Sequence, residues 1–165
     1  MTMEVTGLED FAATIQRLGE KAEPAIKAAM YDAAAQLRTA VETEVQNLPT
    51  EPNRYLREND KFNVFTETNK ADLLAGIYVH KFQQVGDRLE TWVSFDGYGS
   101  PSTATKKYPN GLPNAMIANA INSGSSVRRK NRFMARAKKA GEPAARAAMQ
   151  ESFEEYLKKE GLSNG

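Results

Sequence analysis

Between Pro24 and Pro49 apolar residues recur every three or four positions: Ile26, Met30, Ala33, Leu37, Val41 and Val45. That period fits one face of an α-helix and does not fit a strand. Proline is tolerated in a first turn, where its missing amide costs nothing, and it ends a helix further on. Ala28, Ala29, Ala34, Ala35 and Ala40 raise helix propensity and permit close packing. A helix of this length has to bury its stripe against the rest of the fold, so it constrains every other element.

A shorter helix is expected over residues 7–18. Thr6 and Glu9 have capping-box spacing, Leu8, Phe11, Ile15 and Leu18 share a face, and Gly19 can terminate it. Residues 49–60 read as an exposed loop. Phe62, Val64 and Thr66 alternate with polar neighbours, as in a short strand, and Asp72-Leu73-Leu74 suggests one helical turn. Gly76 to Gln84 and Leu89 to Phe95 read as two strands of a hairpin turning at Gly86-Asp87. Leu89, Thr91, Val93 and Phe95 share one face of the second strand, with Trp92 on the other.

Residues 97–112 are rich in Gly, Ser, Thr, Pro and Lys and predict a mobile loop. Pro113 then opens a helix carrying Met116, Ile117, Ala120 and Ile121, which breaks at Ser123-Gly124. Residues 122–132 read as a further loop containing part of a basic stretch. A last helix is predicted from about Pro143 to about Lys159, with Ala145, Met149, Phe153, Tyr156 and Leu157 as its stripe and residues 161–165 frayed. The predicted fold is α+β, one domain over 1–165, with long N-terminal and C-terminal helices packed on a small antiparallel sheet. Its expected core includes Leu8, Phe11, Ile15, Ile26, Met30, Leu37, Val41, Val93, Phe133, Met149 and Phe153. Ala22–Met30 resembles Gly141–Met149; two helix starts, each with an acidic residue before a first-turn proline, explain this better than duplication.

Residue counts narrow the chemistry. The chain has no cysteine and a single histidine, His80, which excludes thiolate metal sites, cysteine nucleophiles and a histidine triad or cluster within one chain. His80 itself reads as a strand histidine with an ordinary hydrogen bond. Gly97-Tyr98-Gly99 lacks the third glycine, the Lys-Ser/Thr pair and the following helix of a phosphate loop. No catalytic residue, cofactor or metal is expected. The N-terminus does not read as a signal peptide, and no apolar run approaches the roughly 18 residues of a membrane span. A soluble protein made in the cytoplasm is expected.

One stretch stands out: Arg128, Arg129, Lys130, Arg132, Arg136, Lys138 and Lys139, within a chain whose formal net charge is only +1. Acidic residues Glu4, Glu9, Asp10, Glu20, Glu23, Glu42 and Glu44 concentrate in the first third, so charge is polarised along the sequence. Three roles fit the stretch: contact with DNA phosphates, docking on an acidic neighbour, or a solvated loop that orders on assembly.

The opening Gly7-Leu8-Glu9-Asp10-Phe11, the spacing to Leu18-Gly19-Glu20-Lys21-Ala22, and the alanine-rich helix ending at Leu48-Pro49 resemble tail-completion and neck proteins of tailed bacteriophages. The likeness extends to the head–tail joining family and to the minor tail protein Z family of lambda-like phages. Asp72-Leu73-Leu74-Ala75-Gly76-Ile77 resembles the family's Gly-x-Leu-x-x-Ser-Ile step into its sheet. Leu112-Pro113-Asn114-Ala115-Met116-Ile117-Ala118 is similar to a Pro-x-Ala-Phe-Ile step, and Arg132-Phe133-Met134 to Pro-Phe-(Leu/Met) before a final helix. The family's glutamate before a Gly-Thr turn is replaced by Asn122-Ser123-Gly124-Ser125, and its proline by Arg132. The resemblance implies a virion protein at the head–tail interface that forms a homo-oligomeric ring around the DNA channel, beside head-closure and tail proteins. The basic residues would face DNA or an acidic neighbour. The alternative is a DNA-binding or packaging accessory protein using residues 128–139.

Overall fold

The computed structural model of the chain describes residues 19, 22–50, 65–86, 88–124 and 130–160. The short helix expected over 7–18, with Leu8, Phe11 and Ile15, lies outside them, as do Phe62, Val64, Arg128 and Arg129. The fold is α+β. Helix α1 spans Ala22–Gln46 and α2 spans Glu67–Ala75. Strands β1 (Ile77–Val79), β2 (Gln83–Val85), β3 (Arg88–Glu90) and β4 (Val93–Phe95) follow. A 3-10 turn over Pro101–Thr103, α3 (Asn114–Ser123) and α4 (Phe133–Lys159) complete the order. No helix among the described residues is long and apolar enough to cross a membrane.

The two long helices pack against each other along much of their length, more extensively than any other pair of elements among the described residues. They run antiparallel. Val41 and Val45 share a cluster with Phe133 and Ala137, whereas Ala25, Ala29 and Ala33 share one with Ala145, Met149 and Phe153. At the crossing sits Gly141, where an added Cβ would come within 2.7 Å of the Ala40 Cβ. A side chain at that point would require the helices to shift.

The buried face of α1 differs from the one expected. In the first half of α1 the buried line is Ala25, Ala29 and Ala33, not the bulkier residues beside them. Ile26, Met30 and Leu37 are half-buried; Met30 and Leu37 pack at the margin of the alanine contact. The small alanines leave room for Met149 and Phe153, which fill this contact from the α4 side. Val41, Phe133, Met149 and Phe153 are buried, and Val93 is half-buried against the main cluster.

The last helix begins ten residues before the predicted Pro143, at Phe133. Pro143 lies inside it on an exposed position. An internal proline costs about 3 kcal/mol, but truncating a buried Phe costs about 3–5 kcal/mol, and Phe133 is fully buried in the main cluster. Starting the helix at Phe133 therefore outweighs the broken hydrogen bond at Pro143. Gly141–Met149 consequently lies in mid-helix, not at a helix start; its Ala145 and Met149 share a cluster with Ala25 and Ala29 of the similar segment Ala22–Met30.

Thr66 does not belong to a strand. It caps α2: the Asn69 amide donates to Thr66 Oγ1 (3.2 Å), and the Thr66 amide donates to Asn69 Oδ1 (3.1 Å). The expected hairpin forms, but in two ladders. β1 pairs antiparallel with β4 (Ile77 opposite Phe95, Val79 opposite Val93), and β2 pairs with β3 (Gln83 opposite Glu90). Between them residues 80–82 stand opposite only residues 91–92. One extra residue on one strand interrupts pairing in the manner of a bulge. The inner ladder puts Ile77 and Phe95 in the main cluster, where Phe95 meets Phe133 edge to face at 6.0 Å. The outer ladder extends away from it, and Phe82 leans on Tyr31 of α1.

The stretch 97–112, expected to be mobile, is held by its own hydrogen bonds. The Gly99 amide donates to the Leu112 carbonyl (2.7 Å). Buried Thr103 donates through Oγ1 to the Ser100 carbonyl and accepts from the Leu112 amide. These bonds pin the loop to the start of α3.

Candidate functional site

The basic stretch does not form one loop. Lys130 is exposed in the link between α3 and α4. Arg132 is the exposed N-cap of α4, in a left-handed conformation with φ 57° and ψ 30°. Arg136, Lys138 and Lys139 lie in the first two turns of the helix. Positions 132, 136 and 139 fall on one face, three or four residues apart, while Lys138 is turned away from them.

Arg136 makes internal bonds. Its Nε donates to Glu44 Oε2 of α1 at 2.7 Å, and its terminal nitrogens donate to the Asn131 carbonyl (2.6 Å) and Asn131 Oδ1 (2.8 Å). The charge polarity of the sequence is thus partly cancelled across the α1–α4 interface. The same guanidinium clamps the link before α4. That link is further fixed by Asn131 and Arg132 amides donating to the Ile121 and Asn122 carbonyls at the end of α3. Arg132 offers no capping side chain; Asn122 Oδ1 accepts from the Met134 amide in its place (3.1 Å). Further along α4, a hydrogen bond from Arg146 holds the Glu142 carboxyl below its ordinary range.

A second feature was not legible as a site in the sequence. Where α2 ends, β1 begins and α3 starts, a cleft of about 380 Å³ opens, lined in part by Asp72, Tyr78, Asp96, Tyr98 and Asn114. Asn114 is 3% exposed and ties three segments together. Its amide nitrogen Nδ2 donates to the Asp72 carbonyl (3.1 Å) and the Asp96 carbonyl (2.8 Å). Its backbone amide donates to the Gly97 carbonyl. Its Oδ1 is buried without a hydrogen-bond partner. Asp72 Oδ2 accepts from the Ser100 amide at 2.7 Å. Gly76 makes the junction possible: a Cβ there would stand 2.4 Å from the Asp96 oxygen and 2.6 Å from Asn114 Nδ2. Tyr78 and Tyr98 are 41% and 57% exposed on the walls. The signals were present as isolated oddities: Asp72 before two leucines, Asn114 at the head of an apolar helix, and a Gly-Tyr-Gly step. Only the fold brings them together.

His80 lies on the hairpin. Its Nε2 is 2.5 Å from Ser94 Oγ, and its ring stacks on Trp92 at 4.6 Å with 21° between planes. Tyr78 meets it edge-on. Among the described residues there is no group of three or more His, Asp or Glu side chains placed to hold a metal ion. No family model, curated protein or solved structure matches the chain.

Proposed function

We propose that this chain is a non-enzymatic structural protein of a tailed-phage or prophage virion, completing or joining the tail at the head–tail interface by ring assembly around the DNA channel. The observation that carries the reading is the ordered likeness of both ends of the chain to tail-completion families: Gly7–Phe11, Leu18–Ala22, the alanine-rich helix closing at Pro49, Leu112–Ala118 and Arg132–Met134. An α+β chain with two long helices and a small hairpin is compatible with that likeness. Copies of such a subunit would meet through exposed faces of the hairpin, the 97–112 loop and the start of α4.

The test is the particle. Virions purified from the producing host should contain the chain, and a null allele should yield heads and tails that fail to join or tails of abnormal length. Absence from purified particles, with normal particles from the null allele, sinks the reading. The DNA-accessory alternative draws on Lys130, Arg132 and Lys139, exposed near the start of α4. It requires tight binding to random duplex DNA that weakens steeply as salt rises.

A further inference from the structure

The cleft between α2, β1 and α3 carries a chemistry of its own. Asp72 and Asp96 belong to its lining, and among the described residues no lysine or arginine does. Tyr78 and Tyr98 offer aromatic surface beside them. Asn114, almost wholly buried, fixes the same wall through its bonds to the Asp72 and Asp96 carbonyls. Carboxylate with an aromatic face is the environment that favours a guanidinium or ammonium, because ion pairing and cation–π attraction add and a guanidinium is cheaply dehydrated. The cleft's roughly 380 Å³ admits a whole side chain with its stem.

The same molecule presents cations of the right kind at Lys130 and Arg132, both exposed. Their position relative to the cleft is fixed by α3. Asn114, in the cleft, is the first residue of that helix. The link carrying Lys130 and Arg132 is bonded to Ile121 and Asn122 in its last turn. At 1.5 Å per residue the two ends stand about 12 Å apart. Complementary features at opposite ends of one helix do not satisfy each other within a chain, but they do between chains. Contact of this kind is heterologous and closes into a ring when the rotation between copies allows.

We propose that the cleft receives the basic link of a second copy, with Arg132 entering between Asp96 and the tyrosines and Lys130 beside it, so that copies join head to tail along α3. This rests on the ring-assembly reading and names the contact that builds the ring.

The test is a charge exchange followed by sedimentation and light scattering. Asp96 is exposed and its fold-holding bonds go through its backbone, so Asp96→Lys keeps them. Arg132→Asp places a residue that tolerates the left-handed region. The unaltered chain is expected to form ring-sized species. Each single reversal puts like charges at every junction and should weaken self-association roughly tenfold or more. A one-to-one mixture of the two variants has opposite charges at every mixed junction and should recover assembly. Should Asp96→Lys lose its near-ultraviolet circular dichroism signal, Asp96→Asn and Tyr98→Ala carry the test, and both must weaken assembly. Rings that form equally well from the single variants, or a mixture that fails to recover, overturn this contact and leave ring assembly standing. An unaltered chain that stays monomeric at every concentration overturns both.

Discussion

Arg132 holds a backbone conformation that L-residues other than glycine, asparagine and aspartate seldom adopt, at φ 57° and ψ 30°. The left-handed region costs such a residue about 1–2 kcal/mol, whereas glycine enters it without a steric penalty but loses more chain entropy on folding. Arg132→Gly is therefore expected to raise unfolding free energy by roughly 0.5–1 kcal/mol in a urea titration. A loss of stability would mean the side chain contributes more than its backbone costs. Asn69 argues the opposite case. It is buried, and its side chain and amide complete the reciprocal cap with Thr66. Asn69→Ala should lower stability by about 1–2 kcal/mol by the same measurement; an unchanged midpoint would show that α2 does not depend on its cap. The pattern Thr66-x-x-Asn69 could have been read as a box, but the reciprocal partner is usually Glu or Gln. Alternation with Phe62 and Val64 pointed to a strand instead.

Helix α1 was legible because a long apolar period and flanking prolines all point one way; the structure moves its start only to Ala22. The hairpin was legible from Gly86 and the alternating apolar residues, except for the extra residue over 80–82 that splits it. Helix α4 was legible only from Pro143 to Lys159; its first ten residues were not, because Pro143 looks like a start and Arg136, Lys138 and Lys139 belong to a basic stretch that could be a solvated loop. The deciding term, burial of Phe133 beneath the hairpin, depends on residues distant in sequence. The cleft was still less accessible to sequence reading, since it joins Asp72, Asp96 and Asn114 from three separate elements. Gly141 tests the α1–α4 contact directly. Replacing a helical glycine by alanine normally gains about 1 kcal/mol. Overpacking typically costs about 1–3 kcal/mol, and a Cβ at Gly141 would meet the Ala40 Cβ at 2.7 Å. Gly141→Ala is expected to lose about 1 kcal/mol net, seen as a lower thermal midpoint, with Gly141→Val losing more. A gain from Gly141→Ala would show that the helices can separate there at little cost.

Across the molecule, apolar packing among the described residues falls into two unequal parts. The main cluster draws side chains from α1, α2, the inner hairpin ladder, α3 and the start of α4, and includes Val41, Leu73, Phe95, Ile121 and Phe133. The second is built by α1 and α4 alone, from three alanines facing Ala145, Met149 and Phe153. Alanines bury little area, and burial stabilises by roughly 25 cal/mol per Å², so the second part has less holding it closed. Regions with fewer buried apolar contacts open locally at lower free energy than the rest of a fold. Amide hydrogen exchange should therefore be faster over Ala25–Ala33 and Ala145–Phe153 than over Val41–Val45 and Phe133–Ala137. The coupling between the parts gives a sharper expectation. Met149→Ala should cost about 2–5 kcal/mol, expressed mainly as lost protection in the second part, because the main cluster can hold with the helix ends apart. Phe133→Ala, at about 3–5 kcal/mol, removes the anchor from which α4 runs back along α1, and protection should fall in both parts together. Equal loss everywhere from Met149→Ala would mean that the helix pair and the main cluster open as one unit.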